Sequence, residues 1–483
     1  MLAAFLAALR RRSSAIRDNR KKIETVVAFA NTDGGWLALG VEDADKAKGH
    51  DRLYGIHENP ESVDELRRQL VSRITPPLDP PPEFHEVGCT LRDGSRGSVF
   101  LVRVHKSGAV HSVVDDGTFV RLSKSNRQIS AAEATELSLR RGTTTVVNGF
   151  ADVPLELLET AAWREYASQR LLTRPIAEAM RHVGLARPGA DGKLRPTRAA
   201  VLLFAEEPNG LLDSKCTIRL FQYRGDRIEH TPNTNLLRPP KTIGGPLIAQ
   251  IRGAVEAIVD ALATGVQVGP LGFEIVQRYP VRVIKEAITN AVLHRDYRLN
   301  ADIHVRLFEN RIEVESPGVL PGPVTVENLR RIGSQPRNRI LVDHLREFAQ
   351  PPNLDAGEGV RMMFDAMDRT NLYPPVYVTE PDVPREAVVV HLLNAERASV
   401  WDHVAAHLDR DGTIGNAEVR RILRTDDPVK ASRLLSSWLA QNLLVVANPE
   451  AAKQHRRYRR PGALAQAELF SLDVGKQPPR RGK

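Results

Sequence analysis

Residues 285–297 read Lys285-Glu286-Ala287-Ile288-Thr289-Asn290-Ala291-Val292-Leu293-His294-Arg295-Asp296-Tyr297. Residues four apart share a helix face, so Glu286 and Asn290 are predicted to point into one site. A carboxylate and a carboxamide one turn apart suit nucleotide hydrolysis. An amide oxygen such as that of Asn290 is a hard ligand that completes the shell of a Mg²⁺ already held by phosphates. Glu286 is then placed to orient or deprotonate the attacking water, the catalytic role. Further on, Gly357-Glu358-Gly359-Val360-Arg361-Met362-Met363 opens a second helical run with two glycines. A glycine-rich turn at a helix N-terminus offers bare amides and a dipole to a polyphosphate.

Outward from these stretches, composition narrows the class. A chain of 483 residues is too long for one domain. Its 42% hydrophobic and 26% charged residues fit a globular protein. No run approaches the length of a membrane span. At the N-terminus the apolar stretch precedes Arg10-Arg11-Arg12, the reverse of a secretory signal. The two cysteines, Cys89 and Cys216, have no ligand spacing, which fits a reducing cytoplasm and no structural zinc. A net charge of +9 favours a polyanionic partner.

Near the N-terminus a helix over 21–29 runs through Ala28-Phe29-Ala30 into the turn Asn31-Thr32-Asp33-Gly34-Gly35. A strand Trp36–Val41 follows, then Gly55-Ile56, a helix Glu61–Ile74 ended by the prolines of 76–82, and strands over Ser98–Val104 and Thr118–Leu122. This run, with Arg103-Val104-x-x-Ser107 and Gly117-Thr118-Phe119-Val120-Arg121, resembles the AlbA_2 or Schlafen-type domain over roughly residues 15–135. The resemblance implies nucleic-acid binding. Schlafen-type nucleases carry acidic metal ligands near the start of this domain, whereas Arg10–Lys22 is basic apart from Asp18.

In the middle section, residues 150–280, a helix Leu155–Arg170, a helical run Ile176–Val183, a turn at Pro188–Gly192, a buried strand Ala199–Phe204, a strand Cys216–Tyr223 and a helix Pro246–Thr264 are expected. Past Tyr279-Pro280 comes the Glu286/Asn290 helix, then strands over Asp302–Phe308 and Arg311–Ser316, Ser316-Pro317-Gly318, a polar insertion over 319–356, and Gly357-x-Gly359. This order, with His294-Arg295-Asp296-Tyr297, Ser334 and Arg337-Asn338, resembles the ATP-binding half of the GHKL superfamily. It is most similar to the divergent ATPase of RecG-like and transcriptional-regulator proteins. The resemblance covers roughly 150–395 and implies a Bergerat-type α/β sandwich that binds ATP and Mg²⁺, with Glu286 as general base. It also implies that His294, Arg295 and Asp296 lie near the phosphates and that Asn338 and Gly318 belong to the cofactor site. Ser316 would stand where relatives use an Asp to accept the adenine amino hydrogen, and Arg337 would reach the γ-phosphate as a lid.

Beyond residue 397 the pattern gives helices over Val400–Asp409, Ala417–Leu423 and Pro428–Gln441, the third behind Asp426-Asp427-Pro428. Strand Leu443–Val446 and the basic segment Arg456-Arg457-Tyr458-Arg459-Arg460 follow, then a basic tail over 466–483. Three helices and a hairpin resemble a winged helix, whose third helix enters the major groove while the wing touches backbone. The four arginines around Tyr458 are the expected nucleic-acid patch.

The fold class expected is therefore an α+β multidomain chain: an AlbA_2/Schlafen-like domain (1–140), an ATPase lead-in (150–280), a GHKL-like ATP-binding domain (281–395) and a winged-helix-like domain (397–465). The expected function is an ATP-responsive DNA-binding regulator with slow hydrolysis, with RNA as a further partner class, no membrane association and a homo-oligomeric state. The alternatives are a Schlafen-like effector that cleaves nucleic acid and a phosphotransfer protein of histidine-kinase type.

Overall fold

The computed structural model describes residues 19–461 except 44–45, 57–60, 123–124, 143–144, 190, 231–233, 264, 270–271, 277–278, 353–357, 380–382, 384 and 399. The start of the basic Arg10–Lys22 segment, Gly357 and the basic tail lie outside the described residues. The chain divides into two compact units, Met1–Thr135 with Ser399–Lys483, and Glu136–Ala398. No helix among the described residues is long and apolar enough to cross a membrane.

In the N-terminal domain the helix Asn19–Ala30 buries Ile23, Val26, Val27 and Phe29. The turn after it needs Gly34: its φ is +80°, and a Cβ there would stand 2.7 Å from the Val104 carbonyl oxygen. Strand Gly35–Leu39 then pairs antiparallel with Arg96–Val104, whose other edge takes Glu83–Thr90. A second sheet runs Ile74–Thr75, Ser112–Val113, Gly117–Leu122, Ser125–Ile129. Asn31 fastens the turn to that sheet. Its amide nitrogen donates to the carbonyls of His111 (2.7 Å) and Phe119 (2.9 Å), and its amide oxygen accepts from the His111 N–H. Glu83–Thr90 was not expected as a strand. It follows a proline cluster, and alternate residues are exposed, so its sequence is polar.

The unit Glu136–Ala398 is built on a six-stranded sheet in the order Lys241–Ile243, Ile218–Gln222, Ile303–Leu307, Arg311–Pro317, Ala387–Leu393, Val376–Val378. Ile218–Gln222 and Ile303–Leu307 are parallel, and the other neighbouring strands are antiparallel. Alternation puts Ile218, Val305, Ile312, Val314, Val390 and Leu392 on one face, in a single core with the helices Leu247–Leu262 and Val281–His294. The lead-in section is thus part of the same sheet as the Glu286 helix's own strands.

Two expectations in this unit are corrected. Ala199–Phe204 is helical, within Arg198–Phe204, with the Thr197 hydroxyl accepting from the Ala200 N–H at 3.2 Å as N-cap. Every residue from Ala199 to Phe204 is buried, so the run shows no amphipathic period to separate helix from strand. The long helix expected over Leu155–Arg170 is a 3₁₀ turn, Leu155–Leu158, followed by Ala161–Gln169. Thr160 breaks it: its hydroxyl donates to the Phe204 carbonyl and accepts from the Trp163 N–H.

The C-terminal part has helices Trp401–Asp411, Asn416–Leu423 and Pro428–Ala440. Asp427 caps the third, accepting from the Val429 and Lys430 N–H groups at 2.8 and 3.3 Å. Val445–Val446 pairs antiparallel with Tyr458–Arg459, and Ile414 bridges to Tyr458.

Candidate functional site

The helix Val281–His294 packs its apolar side into the core and turns Glu286 and Asn290 toward a cavity of about 710 Å³. The amide nitrogen of Asn290 donates to Glu286 Oε1 at 3.0 Å. That bond uses the nitrogen and leaves the amide oxygen, the atom a cation would take. Burial raises the Glu286 carboxyl above its ordinary value, opposed by the Asn290 bond and by the charge of Lys285. Opposite lies the N-terminus of the helix Gly359–Arg369. Gly359 has no side chain where Glu286 sits: a Cβ would be 1.7 Å from Oε1.

One side of the cavity is apolar. Val314, Val388 and Val390 from the sheet line it together with Tyr377. Arg282, Lys285 and Arg361 add positive charge to the walls. Lys285 Nζ donates to the Pro351 carbonyl, and Arg361 donates to the carbonyls of Arg330 and Arg331. These three cations were missed in the sequence. Their signal was position: Arg282 lies one turn before Glu286, and Arg361 in the first turn after Gly359.

Of the expected site residues, Glu286, Asn290, His294, Ser316, Gly318 and Gly359 line this cavity. Ser316 donates its hydroxyl proton to the Ala291 carbonyl at 2.8 Å. His294 is half-buried on the cavity wall, and burial with the neighbouring Arg337 charge pushes its imidazole down to about 4. It is therefore neutral at pH 7, and its Nδ1 is a buried atom with no hydrogen-bond partner.

Arg295, Asp296, Arg337 and Asn338 are not among the residues lining this cavity, and they bind the protein's own backbone and side chains. Arg295 donates to the carbonyls of Lys215 and Leu299, with its guanidinium 4.9 Å from the Tyr297 ring centre. Asn338 caps the end of the Glu286 helix, donating to the carbonyls of Leu293 and Arg295, both at 2.8 Å. Arg337 donates to the carbonyls of His294, Leu139 and Val319. Asp296 accepts from Arg298 Nε at 3.0 Å and lies 3.6 Å from Arg337 Nη1. Arg337 is only 3% exposed.

The basic C-terminal segment is partly engaged by its own neighbours. Arg457 is paired with Glu418 at 2.9 Å and Arg460 with Asp409 at 3.0 Å, and Tyr458 is buried. Burial lowers the Arg460 guanidinium below its ordinary value. Arg459 donates to the Arg460 carbonyl, and Arg456 is half-buried.

Residues 10–130 match the family described as "Schlafen, AlbA_2", and residues 300–385 match the one described as "Putative ATP-dependent DNA helicase recG C-terminal". The second match begins after the Glu286 helix and includes the Gly359 helix. No curated protein matches the chain. The crystal structure of the DIP2311 protein from Corynebacterium diphtheriae is 21% identical, with 96% of this chain and 92% of that chain covered, at a TM-score of 0.41. The chain thus joins a Schlafen AlbA_2 domain to a divergent ATPase-type domain of the RecG C-terminal kind.

Proposed function

We propose that this chain is a DNA-associated regulator that binds ATP with Mg²⁺ in the cavity between the Glu286 helix and the Gly359 helix, and hydrolyses it slowly. The observation that carries the reading is the bonded Glu286–Asn290 pair on the wall of a cavity about 710 Å³ in volume, facing a helix N-terminus with no side chain at Gly359.

The residues present fit a magnesium nucleotide. The volume lies within the range of ordinary ligand pockets. The valine wall and Tyr377 suit a purine ring. Ser316 has spent its proton on Ala291, so its oxygen offers acceptor lone pairs to an exocyclic amine. The unpartnered Nδ1 of His294 gains a partner from a polar ligand atom. Asn290 Oδ1 would hold the cation, which when bound neutralises phosphate charge. Arg282, Lys285 and Arg361 supply further positive charge to the polyphosphate. Glu286, its carboxyl raised by burial, takes a proton from water more readily near neutral pH than an exposed carboxylate does.

Regulation follows as a population shift: ATP biases the chain only by its differential affinity for two states. The insertion over 319–356 supplies Val319, Leu320 and Leu329 to the cavity and is the segment a nucleotide would reorder. The AlbA_2 match supports nucleic-acid association, and the C-terminal helices would act as a winged helix, with Lys430 and Arg433 exposed on the third.

Thermal unfolding with ATP, GTP and ADP, with and without Mg²⁺, tests the reading. A ligand that binds only the folded state raises the melting temperature. Stabilisation by Mg²⁺·ATP is expected, and no shift with any nucleotide overturns the proposal.

A further inference from the structure

The N-terminal sheet has one face packed on the core and one that is only half covered. Leu37, Leu39, Val102 and Val104 point into the main N-terminal core. On the opposite face, Val41, Leu53 and Leu91 cover Ala38, Val99 and Leu101. The rest of that face lies across one row of the sheet, where Arg103 pairs with Trp36 on one side and Glu83 on the other. The chain has four tryptophans, and the other three are interior: Trp163 is 5% exposed, Trp401 3% and Trp438 1%. Trp36 alone is half-buried.

Its surroundings are aromatic and cationic. The His85 ring centre is 5.8 Å from that of Trp36, and the exposed Arg103 guanidinium is 5.6 Å from the indole centre. His105 directly follows the strand that carries Arg103, and its Nε2 meets Glu83 at 2.8 Å, while His85 Nε2 meets the other Glu83 oxygen at 3.3 Å. The one carboxylate in the row is therefore held between two imidazoles. The His85 and Glu83 side chains are 49% and 46% exposed, so the group is accessible.

We propose that this open half of the sheet, Trp36 with His85, His105 and Arg103, is a stacking platform for single-stranded nucleic acid. A flat β-face with an indole beside a guanidinium stacks an unpaired base on the ring and sets a phosphate against the cation. In a duplex each base face is covered by its neighbours, so the ring has nothing to stack on. The exposed Arg103 offers a cation to a phosphate, and both Glu83 oxygens are engaged by His85 and His105. The proposal rests on the nucleic-acid reading of the AlbA_2 domain and assigns it a surface and a strand preference.

The test uses the full chain with labelled oligothymidylate, oligouridylate and a duplex of the same length, followed by anisotropy and by intrinsic tryptophan emission. Single strands are expected to bind more tightly than duplex and to quench the emission, because Trp36 is the accessible indole. Trp36→Ala is expected to weaken single-strand binding roughly tenfold, with Trp36→Phe retaining most of it. Arg103→Glu, a surface change that leaves the indole in place, is expected to weaken binding and flatten its salt dependence. Wild-type affinity in both Trp36→Ala and Arg103→Glu, or a preference for duplex, overturns this surface while the family reading stands. Absence of binding by the wild-type chain to any of the three removes both. The nucleotide reading is scored separately, by thermal shift.

Discussion

Oε1 of Glu286 occupies the space that a side chain on Gly359 would need, 1.7 Å from the position of its Cβ. The carboxylate of one helix and the first residue of the next are thereby matched to each other. The atom in the way is the end of a flexible side chain, so an added methyl displaces Glu286 rather than the backbone. Gly359→Ala is expected to cost little stability, break the Asn290–Glu286 bond and lower turnover by about a hundredfold. Phosphate release and a urea titration on the same variant separate the two effects.

Asn290→Ala removes the amide oxygen proposed to hold the cation. Nucleotide binding that depends on Mg²⁺ is expected to disappear, and wild-type ATP affinity in this variant would refute the site. Glu286→Gln is expected to keep binding while losing about a hundredfold or more in turnover. Unchanged phosphate release would remove Glu286 from the chemistry.

Burial raises the Glu286 carboxyl, so the folded state holds its proton at pH values where the unfolded chain has lost it. Stability from this group is fully present below the ordinary carboxylate range and is lost as pH rises through the raised value. Glu286→Gln is therefore expected to melt higher than the wild type at neutral pH. The gap should close in acid, and melting curves across pH read it directly.

His344 and His391 are buried and His294 is half-buried in the unit Glu136–Ala398, and burial pushes each imidazole down to about 4. Between that value and the ordinary histidine range the unfolded chain binds more protons, so stability falls as pH falls. A tenfold loss of proton affinity on folding corresponds to about 1.4 kcal/mol, so three such imidazoles together make the acid transition steep. Denaturant midpoints should drop between about pH 6.5 and pH 4, and His344→Phe should flatten that slope.

Arg337→Ala leaves three partly buried carbonyls without their donor, at about 1–3 kcal/mol each where water cannot replace it. The variant is expected to unfold at markedly lower denaturant while its ATP affinity under folding conditions stays close to wild type. A lid residue would give the opposite pattern, normal stability with weakened ATP binding. Denaturant curves and a nucleotide titration distinguish the two.

Spacing alone was enough to place Glu286 and Asn290 on one helix face, because the 3.6-residue period fixes direction locally. The same holds for the strands Ile303–Leu307 and Arg311–Pro317 and for the Asp427-capped helix, each specified by neighbouring residues. Partners remote in the chain had to be seen. Arg337 reaches the carbonyl of Leu139, 198 residues away, and no local pattern distinguishes that role from a lid. Ala199–Phe204 is buried all round, so no amphipathic period marked it as a helix, and Arg457 and Arg460 meet Glu418 and Asp409 on other elements. Local sequence sets which way a side chain leaves its element, while long-range packing decides what meets it there.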